Sequence, residues 1–401
     1  MGFVRFSLAV LAAAVATALA PADADTFTTG ADYALVEDYD TGAVLYEKSA
    51  DEPMPPASTA KLLTAEIVFH EVKEGRLHLD DVFDVSEKTW REGGAHAHGA
   101  AMFLAVHSQV RVEDLLRGLI IQSGNDAAMT LAEGIAGTEE NFADIMNKRA
   151  AELGMTHSHF TNARGKADPN QSVTARDMAL LAEHVIRDYP DFYHYFGEKE
   201  FTWNKIRQLN RNPLLTMNLG ADGLKAGDAA DGGFALVGSA VQEGQRLIVV
   251  MNGLKSATDR AEEARKFFNY GFHSFDRRTV FQAGDPVGAA SVYGGAFDTV
   301  PLVSDRPITV FVARGEADKL VAKIVYVGPL TAPVEKGKDA GRLKIWRDDM
   351  LVIDAPLKTG DAVALGGLTG RAFDAGVELA GDAARRAWAG VLAHTGVLAH
   401  K

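Results

Sequence analysis

Two contrasting patterns of apolar and polar residues open the chain beyond its N-terminal segment. In YALVEDYDTGAVLYEK, apolar and polar residues alternate on both sides of Asp40-Thr41-Gly42, which predicts two strands joined by a glycine-containing turn. In the following STAKLLTAEIVFHEVKEG, apolar residues recur at helical spacing from Leu62 to Val68, and Gly75 supplies a C-terminal stop. The pattern predicts a β-hairpin followed by a helix.

Helical patterns dominate the middle of the chain, and strand patterns return after it. Helices are predicted for VEDLLRGLIIQ, DAAMTLAEGIAG, TEENFADIMNKRAAELG and TARDMALLAEHVIRD. The last two open with a threonine that is followed three residues later by Asn or Asp, an arrangement typical of helix N-caps. FALVGSAV and RLIVVMNG then predict neighbouring strands, and DRAEEARKFFNYGF predicts a closing helix. This order predicts an α+β domain over residues 25–275, with an antiparallel sheet that joins strands from its two ends.

The hydrophobic pattern changes again from Arg277. TVPLVSDRPITVFVARGE, LVAKIVYVGPLTAPV, RLKIWRDDMLVIDAPL and DAVALGG are short strand-like segments with Gly, Pro and Asp between them. They predict a small all-β domain over residues 276–373. In residues 374–401, apolar residues between Trp388 and Leu398 fall at helical spacing beside two arginines, so this segment is interpreted either as an amphipathic membrane-anchor helix or as a soluble tail.

Composition and the N-terminus narrow the classes of function. A chain of 401 residues with 47% hydrophobic content is long enough for two domains. Its net charge of -13 argues against nucleic acid as a partner, and the absence of cysteine excludes disulfides, thiolate metal sites and a cysteine nucleophile. The basic MGFVR, the apolar FSLAVLAAAVATALA and the small residues Ala22 and Ala24 predict a signal peptide over residues 1–24, with a buried N-terminal helix as the alternative.

Ser58 and Lys61 form the first candidate catalytic pair. Ser58 comes just before the predicted helix, and it is the only serine in the chain that lies three residues before a lysine. Residues at i and i+3 share a helix face, so the Lys61 amine reaches the Ser58 hydroxyl. A lysine takes the proton of a serine once burial and nearby cations lower its pKa. The alternative is that Ser58 only caps the helix and has no catalytic role.

Ser123 and Asn125 form the second candidate pair. Ser123-Gly124-Asn125 lies between two predicted apolar helices, and it is the only Ser-x-Asn in the chain. A tight loop there would direct both side chains into a cleft. Taken by itself, however, the tripeptide favours an ordinary turn between helices, because Ser, Gly and Asn are all turn formers.

Two segments compete for the third element, a lysine followed two residues later by glycine. Lys225-Ala226-Gly227 is predicted to start a strand of the α+β domain, where Gly227 leaves room for a substrate along the strand. Lys358-Thr359-Gly360 falls in the β domain beside Pro356 and is interpreted as a solvated turn between short strands. The sequence therefore predicts the active-site cation at Lys225.

No cofactor or metal is predicted. His96 and His98 are spaced to share a zinc ion, but no cysteine exists and no third ligand is evident, so a Gly-rich loop is the favoured interpretation. The Gly-rich segments GADGLKAG and GDAADGG lack the spacing of a phosphate-binding loop.

The three motifs in this order resemble those of the low-molecular-weight penicillin-binding proteins, the serine D-alanyl-D-alanine carboxypeptidases. The resemblance covers nearly everything after the predicted signal peptide and includes SGNDAA, TARDMALLAEH, EKEFTWNKIRQLNRNPLL, ADGLKAG, GFALVGSAV and GFHSF. It implies a β-lactamase/transpeptidase-like catalytic domain followed by a β domain, and it favours the membrane anchor. It also implies an exported, periplasmic enzyme that removes the terminal D-alanine of peptidoglycan stem pentapeptides and that β-lactams inhibit covalently.

The same resemblance implies a role for each candidate residue. Ser58 is the implied nucleophile, Lys61 its general base, and Ser123 the residue that helps to pass a proton to the leaving amine. The implied substrate-binding residues are Asn125, Lys225, Ala226, Gly227, Asp228 and Arg260. The backbone N–H groups of the nucleophile Ser58 and of Asp228 form the implied oxyanion hole. Arg260 binds the substrate carboxylate, unless it only pairs with Glu262 or Glu263 on a helix surface.

Three departures from the family pattern surround the implied substrate pocket. Ala226 replaces a Thr or Ser, Asp228 stands where His or Thr is common, and GKADPNQSVTARDM lacks the usual Leu after its Gly. Three alternatives stay open. A β-lactamase shares the three motifs, a peptidoglycan DD-endopeptidase is a related activity, and a weakly active or non-catalytic wall-binding module is supported by Ala226 and Asp228. The β-lactamase is disfavoured by the β domain and by the lack of a convincing glutamate for deacylation.

Overall fold

The structure, a computed structural model, describes residues 27–97, 99–229, 233–314 and 319–368. Within these residues the chain forms two compact units, which divide between Phe275 and Asp276. The first unit combines a sheet with helices and the second is built of strands, so the predicted fold class is confirmed. The predicted signal peptide and the predicted C-terminal helix both lie outside the described residues.

The first unit is built around a five-stranded antiparallel sheet. The strands of this unit are β1 (Tyr33–Asp38), β2 (Ala43–Lys48), β3 (Val82–Asp84), β4 (Gln109–Arg111), β5 (Glu200–Trp203), β6 (Ile206–Leu209), β7 (Ala221–Ala229), β8 (Gly233–Gln242) and β9 (Gln245–Leu254). The main sheet has the order β2-β1-β9-β8-β7, so the first hairpin pairs with the last strand, with Tyr33 opposite Asn252. The predicted hairpin and the predicted joining of distant strands are both confirmed. The two short ribbons β3–β4 and β5–β6 have too few residues to produce a recognisable pattern.

Eight helices in the described part of the first unit cover the sheet and form a helical region beside it. They are α1 (Lys61–Lys73), α2 (Glu87–Glu92), α3 (Val112–Ile120), α4 (Asn125–Ala136), α5 (Glu139–Leu153), α6 (Ala175–Asp188), α7 (Pro190–Gly197) and α8 (Ala257–His273). The predicted threonine caps are confirmed. The Thr138 hydroxyl accepts the backbone N–H of Asn141 at 3.1 Å, and the Thr174 hydroxyl accepts that of Asp177 at 3.1 Å.

Helix α1 is more deeply enclosed than its apolar stripe predicts. Every residue from Lys61 to Phe69 is buried, including Thr64 and Glu66. A helix that is buried on all faces belongs to the core, and its polar groups then need partners. The Thr64 hydroxyl donates to the carbonyl of Ala163 at 2.7 Å, and the Glu66 carboxylate lies 2.7 Å from the Arg149 guanidinium. The residues at the start of α1 are therefore held in place from several sides.

The second unit is built of strands, as predicted, but the predicted strand DAVALGG is wrong, because residues 361–367 form only isolated bridges at Val363 and Leu365. The strands of this unit are β10 (Phe275–Phe281), β11 (Pro286–Tyr293), β12 (Thr299–Val303), β13 (Ile308–Ala313), β14 (Leu320–Val325), β15 (Leu330–Thr331), β16 (Asp339–Arg347) and β17 (Met350–Thr359). Six of them form one sheet in the order β14-β16-β17-β12-β11-β15, and β10 pairs with β13. In the part of the chain that the structure describes, no helix combines the length and the apolar character needed to cross a membrane.

The interpretation of Lys358-Thr359-Gly360 as a solvated turn is wrong. Lys358 and Thr359 end strand β17 and pair with Val303 and Leu302 of β12. Thr359 is buried, and its hydroxyl donates to the carbonyl of Glu335 at 2.5 Å, while the Lys358 amine pairs with Asp305. Pro356 does not prevent this, because the described pairing of β12 with β17 is at Lys358 and Thr359, so Pro356 has a partner strand on its β16 side and a position open on the other side tolerates a missing N–H.

Candidate active site

Ser58 lies on a single turn of 3₁₀ helix, Ala57–Ala60, that leads directly into α1. The position just before a helix is thus as predicted, and the Ser58 side chain is half-buried. The segment before α1 runs against β7, because a Cβ added at Gly227 would lie 3.2 Å from the backbone nitrogen of Ser58. Any larger residue at 227 would press on this turn, so Gly227 keeps the space beside Ser58 free.

Lys61 is the centre of the site. Its Nζ lies 3.0 Å from Ser58 Oγ, 2.8 Å from Asn125 Oδ1 and 2.7 Å from the carbonyl oxygen of Arg164. Two of these partners are carbonyl oxygens, which only accept hydrogen bonds. A neutral amine has two hydrogens for those two oxygens and one lone pair, and the lone pair is then directed at the Ser58 hydroxyl.

The electrostatics of the site favour the neutral form of Lys61. Burial lowers the pKa of Lys61 well below its ordinary value, and the positive charges of Lys225, Arg164 and Arg211 lower it further. The Asp126 carboxylate acts in the opposite direction. A lysine with a depressed pKa is deprotonated more often near neutral pH, which is the state a general base requires.

Ser123 and Asn125 lie on the sharp turn from α3 into α4. Ser123 has a φ of +63°, a left-handed conformation that is unusual for a residue other than glycine. The turn is held by Asp126, whose carboxylate accepts the backbone N–H groups of Met102 at 2.9 Å and Leu104 at 3.1 Å. The structure brings Asn125 onto Lys61, whereas the Ser123 hydroxyl is buried and has no hydrogen-bond partner among the residues that the structure describes. A strained residue with an unsatisfied buried hydroxyl is typical of a functional position.

Lys225 lies in the middle of β7, and the prediction that it starts the strand is wrong. The strand begins four residues earlier, at Ala221, where the sequence Ala-Asp-Gly-Leu shows no clean alternation. The Lys225 side chain is buried and its Nζ donates to the carbonyl of Ala226 at 2.9 Å. Burial, followed by the charge of Arg211, lowers the pKa of Lys225 to about 7.

The Arg260 side chain faces the sheet and contacts Gly227 and Asp228 of β7. The Arg260 side chain is buried, and its guanidinium donates to the Gly227 carbonyl at 3.1 Å and to the Asp228 carboxylate. The alternative in which Arg260 pairs with Glu262 or Glu263 on the helix surface is therefore wrong. Arg211 approaches the other oxygen of Asp228, with 4.0 Å between the charged atoms. Asp228 thus lies between two arginines.

The histidines do not form a metal site in the described residues. The His96 ring packs edge-on against Trp90, with 4.5 Å between the ring centroids, and His98 lies outside the described residues. Among the residues that the structure describes, no group of three or more His, Asp or Glu side chains is arranged to hold a metal ion.

Sequence reasoning missed two residues of this site, Arg164 and Arg211. Neither follows Ser58 at a diagnostic spacing, and both reach the site through the packing of distant segments. The one local signal is Gly165, which has a φ of +74° and would place a Cβ 1.8 Å from the carbonyl oxygen of Ala57. Only glycine fits there, which marks the 163–165 segment as closely packed against the Ser58 turn.

Comparison with protein-family models gives two matches that together cover most of the chain. Residues 17–255 match the D-alanyl-D-alanine carboxypeptidase family, and residues 275–364 match the C-terminal domain of penicillin-binding protein 5. Among curated proteins, D-alanyl-D-alanine carboxypeptidase DacC of Escherichia coli (strain K12) is 39% identical over 343 residues, which are 85% of this chain and 86% of the relative.

Solved structures give the same picture. Penicillin-binding protein 5 from Haemophilus influenzae superposes with a TM-score of 0.71 at 34% identity, over 86% of this chain and 100% of that one. Penicillin-binding protein D2 from Listeria monocytogenes, in its ampicillin-bound form, superposes with a TM-score of 0.54 at 28% identity, over 62% of this chain and 100% of that one.

Proposed function

The chain belongs to the D-alanyl-D-alanine carboxypeptidase family of penicillin-binding proteins, and we propose that it works through an ester on Ser58. It is a serine carboxypeptidase, and its proposed substrate is the peptidoglycan stem peptide that ends in D-Ala-D-Ala. The relatives carry the carboxypeptidase name, so the endopeptidase, β-lactamase and wall-binding alternatives are not favoured. The observation that carries the proposal is the buried Lys61 amine, directed at the Ser58 hydroxyl by two carbonyl acceptors.

Acylation begins with a proton transfer inside this pair. The Lys61 lone pair takes the proton of Ser58, and Ser58 Oγ forms a bond to the carbonyl carbon of the penultimate D-alanine. The backbone N–H groups of Ser58 and Asp228 stabilise the negative oxygen of the tetrahedral intermediate. The C–N bond then breaks, and the leaving amine takes up the proton that Lys61 received, with Ser123 as the relay. D-alanine departs and the peptide stays on Ser58 as an ester.

Deacylation repeats the same steps with water as the nucleophile. Lys61 takes a proton from water, the hydroxide attacks the ester, and Ser58 Oγ recovers the proton as it leaves. Asn125 holds the peptide amide next to Lys61 throughout. Penicillin presents a strained amide at the same carbonyl position, so it acylates Ser58 in place of the peptide. Its ring prevents the leaving nitrogen from departing.

The pocket differs most from the family pattern where it is expected to bind the substrate carboxylate. Lys225, Arg211 and Arg260 surround the position with positive charge, while Asp228 already binds Arg260 and competes for it. Ala226 lacks the hydroxyl that a threonine would direct at the carboxylate. A hydrogen bond to a charged group contributes about 1.5–3 kcal/mol, which corresponds to roughly ten- to a hundredfold in rate. We therefore expect an active but slow enzyme.

The function is tested with a pentapeptide ending in D-Ala-D-Ala and with its C-terminal amide. The wild-type chain is expected to release D-alanine from the free acid. Ala226→Thr is expected to raise kcat/KM by roughly tenfold or more. The gain is expected to be larger for the free acid than for the amide, because only the free acid carries the charge. No D-alanine release by either protein would contradict the function. If Ala226→Thr left the ratio of kcat/KM for the free acid to kcat/KM for the amide unchanged, the proposed place of residue 226 beside the substrate carboxylate would be contradicted.

Export and peripheral membrane attachment are also proposed, on the basis of the basic-apolar order of residues 1–24 and the apolar spacing within residues 374–401. The enzyme then acts in the periplasm at the outer face of the cytoplasmic membrane. Removing the residues after Phe373 is expected to reduce sedimentation with vesicles and to leave hydrolysis of a soluble peptide unchanged. Full-length protein that never sediments with vesicles, whether anionic or neutral, would show that this segment is not an anchor.

A further inference from the structure

Arg164 is a buried arginine whose main chain and side chain face opposite ways. Its carbonyl oxygen accepts a hydrogen bond from Lys61 Nζ at 2.7 Å, next to Ser58. Its side chain, only 7% exposed, turns away from the active-site serine into a group of acidic residues. The mechanism described above uses the carbonyl and leaves the buried guanidinium without a role.

The guanidinium forms a bidentate ion pair with Glu139, the first residue of α5. Arg164 Nε donates to one carboxylate oxygen at 3.1 Å, and Nη2 donates to the other at 3.0 Å. Glu139 also accepts the backbone N–H of Ala163 at 3.2 Å, so one carboxylate fixes two successive residues. Glu139 is itself only 6% exposed. A bidentate pair of this kind fixes orientation as well as position.

A second contact ties the same guanidinium to α2. Arg164 Nη1 donates to the backbone carbonyl of Glu92 at 3.0 Å, at the C-terminal end of α2, and Nη2 lies 3.3 Å from the Glu92 carboxylate. A cation is favourable at a helix C-terminus, where carbonyl groups lack partners. On the other side, Thr64 of α1 donates to the Ala163 carbonyl at 2.7 Å. Three helices therefore converge on the short segment that carries the carbonyl of Arg164.

The charge of Arg164 also acts on the base. It is one of three cations, with Lys225 of β7 and Arg211, that lower the pKa of Lys61, while Asp126 of α4 raises it. Arg164 is not among the groups that act on the pKa of Lys225, which are Arg211, Asp228 and Arg260. A change at Arg164 is therefore expected to affect Lys61 selectively.

We propose that Arg164, anchored by Glu139, is a positioning residue that sets its own carbonyl on Lys61 Nζ and keeps the general base aligned with Ser58. The inference rests on the proposed function of Lys61 as that base. Neither Arg164 nor Glu139 contacts the reacting atoms with its side chain. Their effect passes through the backbone and through the charge of the guanidinium.

The test measures the second-order rate of acylation of the full-length enzyme by penicillin across acidic to alkaline pH. This rate reports the ionisation of the free enzyme. Three variants are compared with wild type: Arg164→Gln, Glu139→Gln and Arg149→Gln. The last is a matched control, because Arg149 also forms a buried pair with a carboxylate, Glu66, farther along α1. Thermal unfolding of each variant reports the structural cost separately.

The acid limb of the profile is the range in which the acylation rate rises with pH as Lys61 loses its proton. Arg164→Gln is expected to move this limb about one pH unit upward, because the loss of a nearby cation raises the pKa of Lys61. Below the limb this corresponds to about tenfold slower acylation. Glu139→Gln is expected to move the limb downward, because it leaves the charge of Arg164 uncompensated. Arg149→Gln is expected to lower the unfolding temperature without moving the limb. Lys225, whose pKa is lowered to about 7, is expected to lose its charge at alkaline pH and so to produce a fall in rate there, which stays in place in all variants.

An acid limb that is present in wild type but unmoved in Arg164→Gln and Glu139→Gln would overturn this proposal and leave the role of Lys61 intact. A wild-type profile without an acid limb would overturn the base role of Lys61 and this proposal together. Should Arg164→Gln fail to fold, Glu139→Gln decides alone, since it preserves the shape of the pair. An unmoved limb in that variant overturns the proposal.

Discussion

Ser58→Ala is expected to abolish both the covalent penicillin adduct and D-alanine release. The ester forms on the oxygen that this change removes, and Lys61 then has no hydroxyl to deprotonate. Loss of the nucleophile in a serine hydrolase typically lowers kcat on the order of 10⁶-fold. Intact mass after incubation with penicillin measures the adduct, and chromatography of the peptide products measures turnover. The Ser58 side chain is half-buried, so we expect the variant to fold normally.

Ser123→Ala is the matched control for that change. Ser123 is the other serine of the site, but its hydroxyl contacts neither Lys61 nor Ser58 in the hydrogen-bond network of the described residues. The variant is expected to form the adduct more slowly and still on Ser58, because a relay is lost and the nucleophile remains. An adduct that survives in Ser58→Ala, or that maps to Ser123, would contradict the assignment of the nucleophile.

Lys225→Ala is expected to slow acylation by roughly a hundredfold or more. Lys225 is a buried cation on the strand that passes Ser58, and a charge directed at developing negative charge supplies several kcal/mol. Lys358→Ala is its control within the same chain, since the Lys358 amine is half-exposed, pairs with Asp305 and belongs to the second unit. We expect it to leave the rate unchanged. Equal effects from the two changes would contradict the assignment of the active-site lysine to β7.

The ionisation of Lys225 also predicts how the acylation rate changes at alkaline pH. With a pKa of about 7, Lys225 is charged below that pH and loses its charge as the pH rises through it. The acylation rate is therefore expected to fall on the alkaline side in wild type. Lys225→Arg keeps the charge and is expected to remove this fall while retaining part of the rate. A wild-type rate that keeps rising through this range would show that the charge of Lys225 is not required.

The features that the sequence predicts well are those determined by local geometry. Contact between Lys61 and Ser58 follows from their spacing on one helical turn, and the hairpin around Asp40-Thr41-Gly42 follows from alternation and turn chemistry. The threonine caps of α5 and α6 are local in the same sense. These predictions need no knowledge of how distant segments pack.

The features that the sequence does not predict depend on packing between distant segments. Asn125 reaches Lys61 because α4 packs against α1, and Arg164 reaches it from a loop that no periodic pattern marks. The two lysine-glycine segments show the same limit. Lys225 lies in mid-strand because the irregular residues before it also pair with β8, and Lys358 lies in a strand despite Pro356. Backbone pairing, which the side-chain pattern reports only indirectly, decides both cases.

The strand order of the main sheet also bears on how the first unit folds. β1 lies between its hairpin partner β2 and β9, and the chain reaches β9 only at Gln245. Pairing between such distant residues requires the closure of a long loop, and proteins dominated by non-local pairings fold slowly. Until β9 is available, the free edge of the hairpin exposes unpaired backbone groups to incorrect partners. We therefore expect completion of the sheet to be a late event in folding, and a chain that stops before Gln245 lacks the strand that covers this edge.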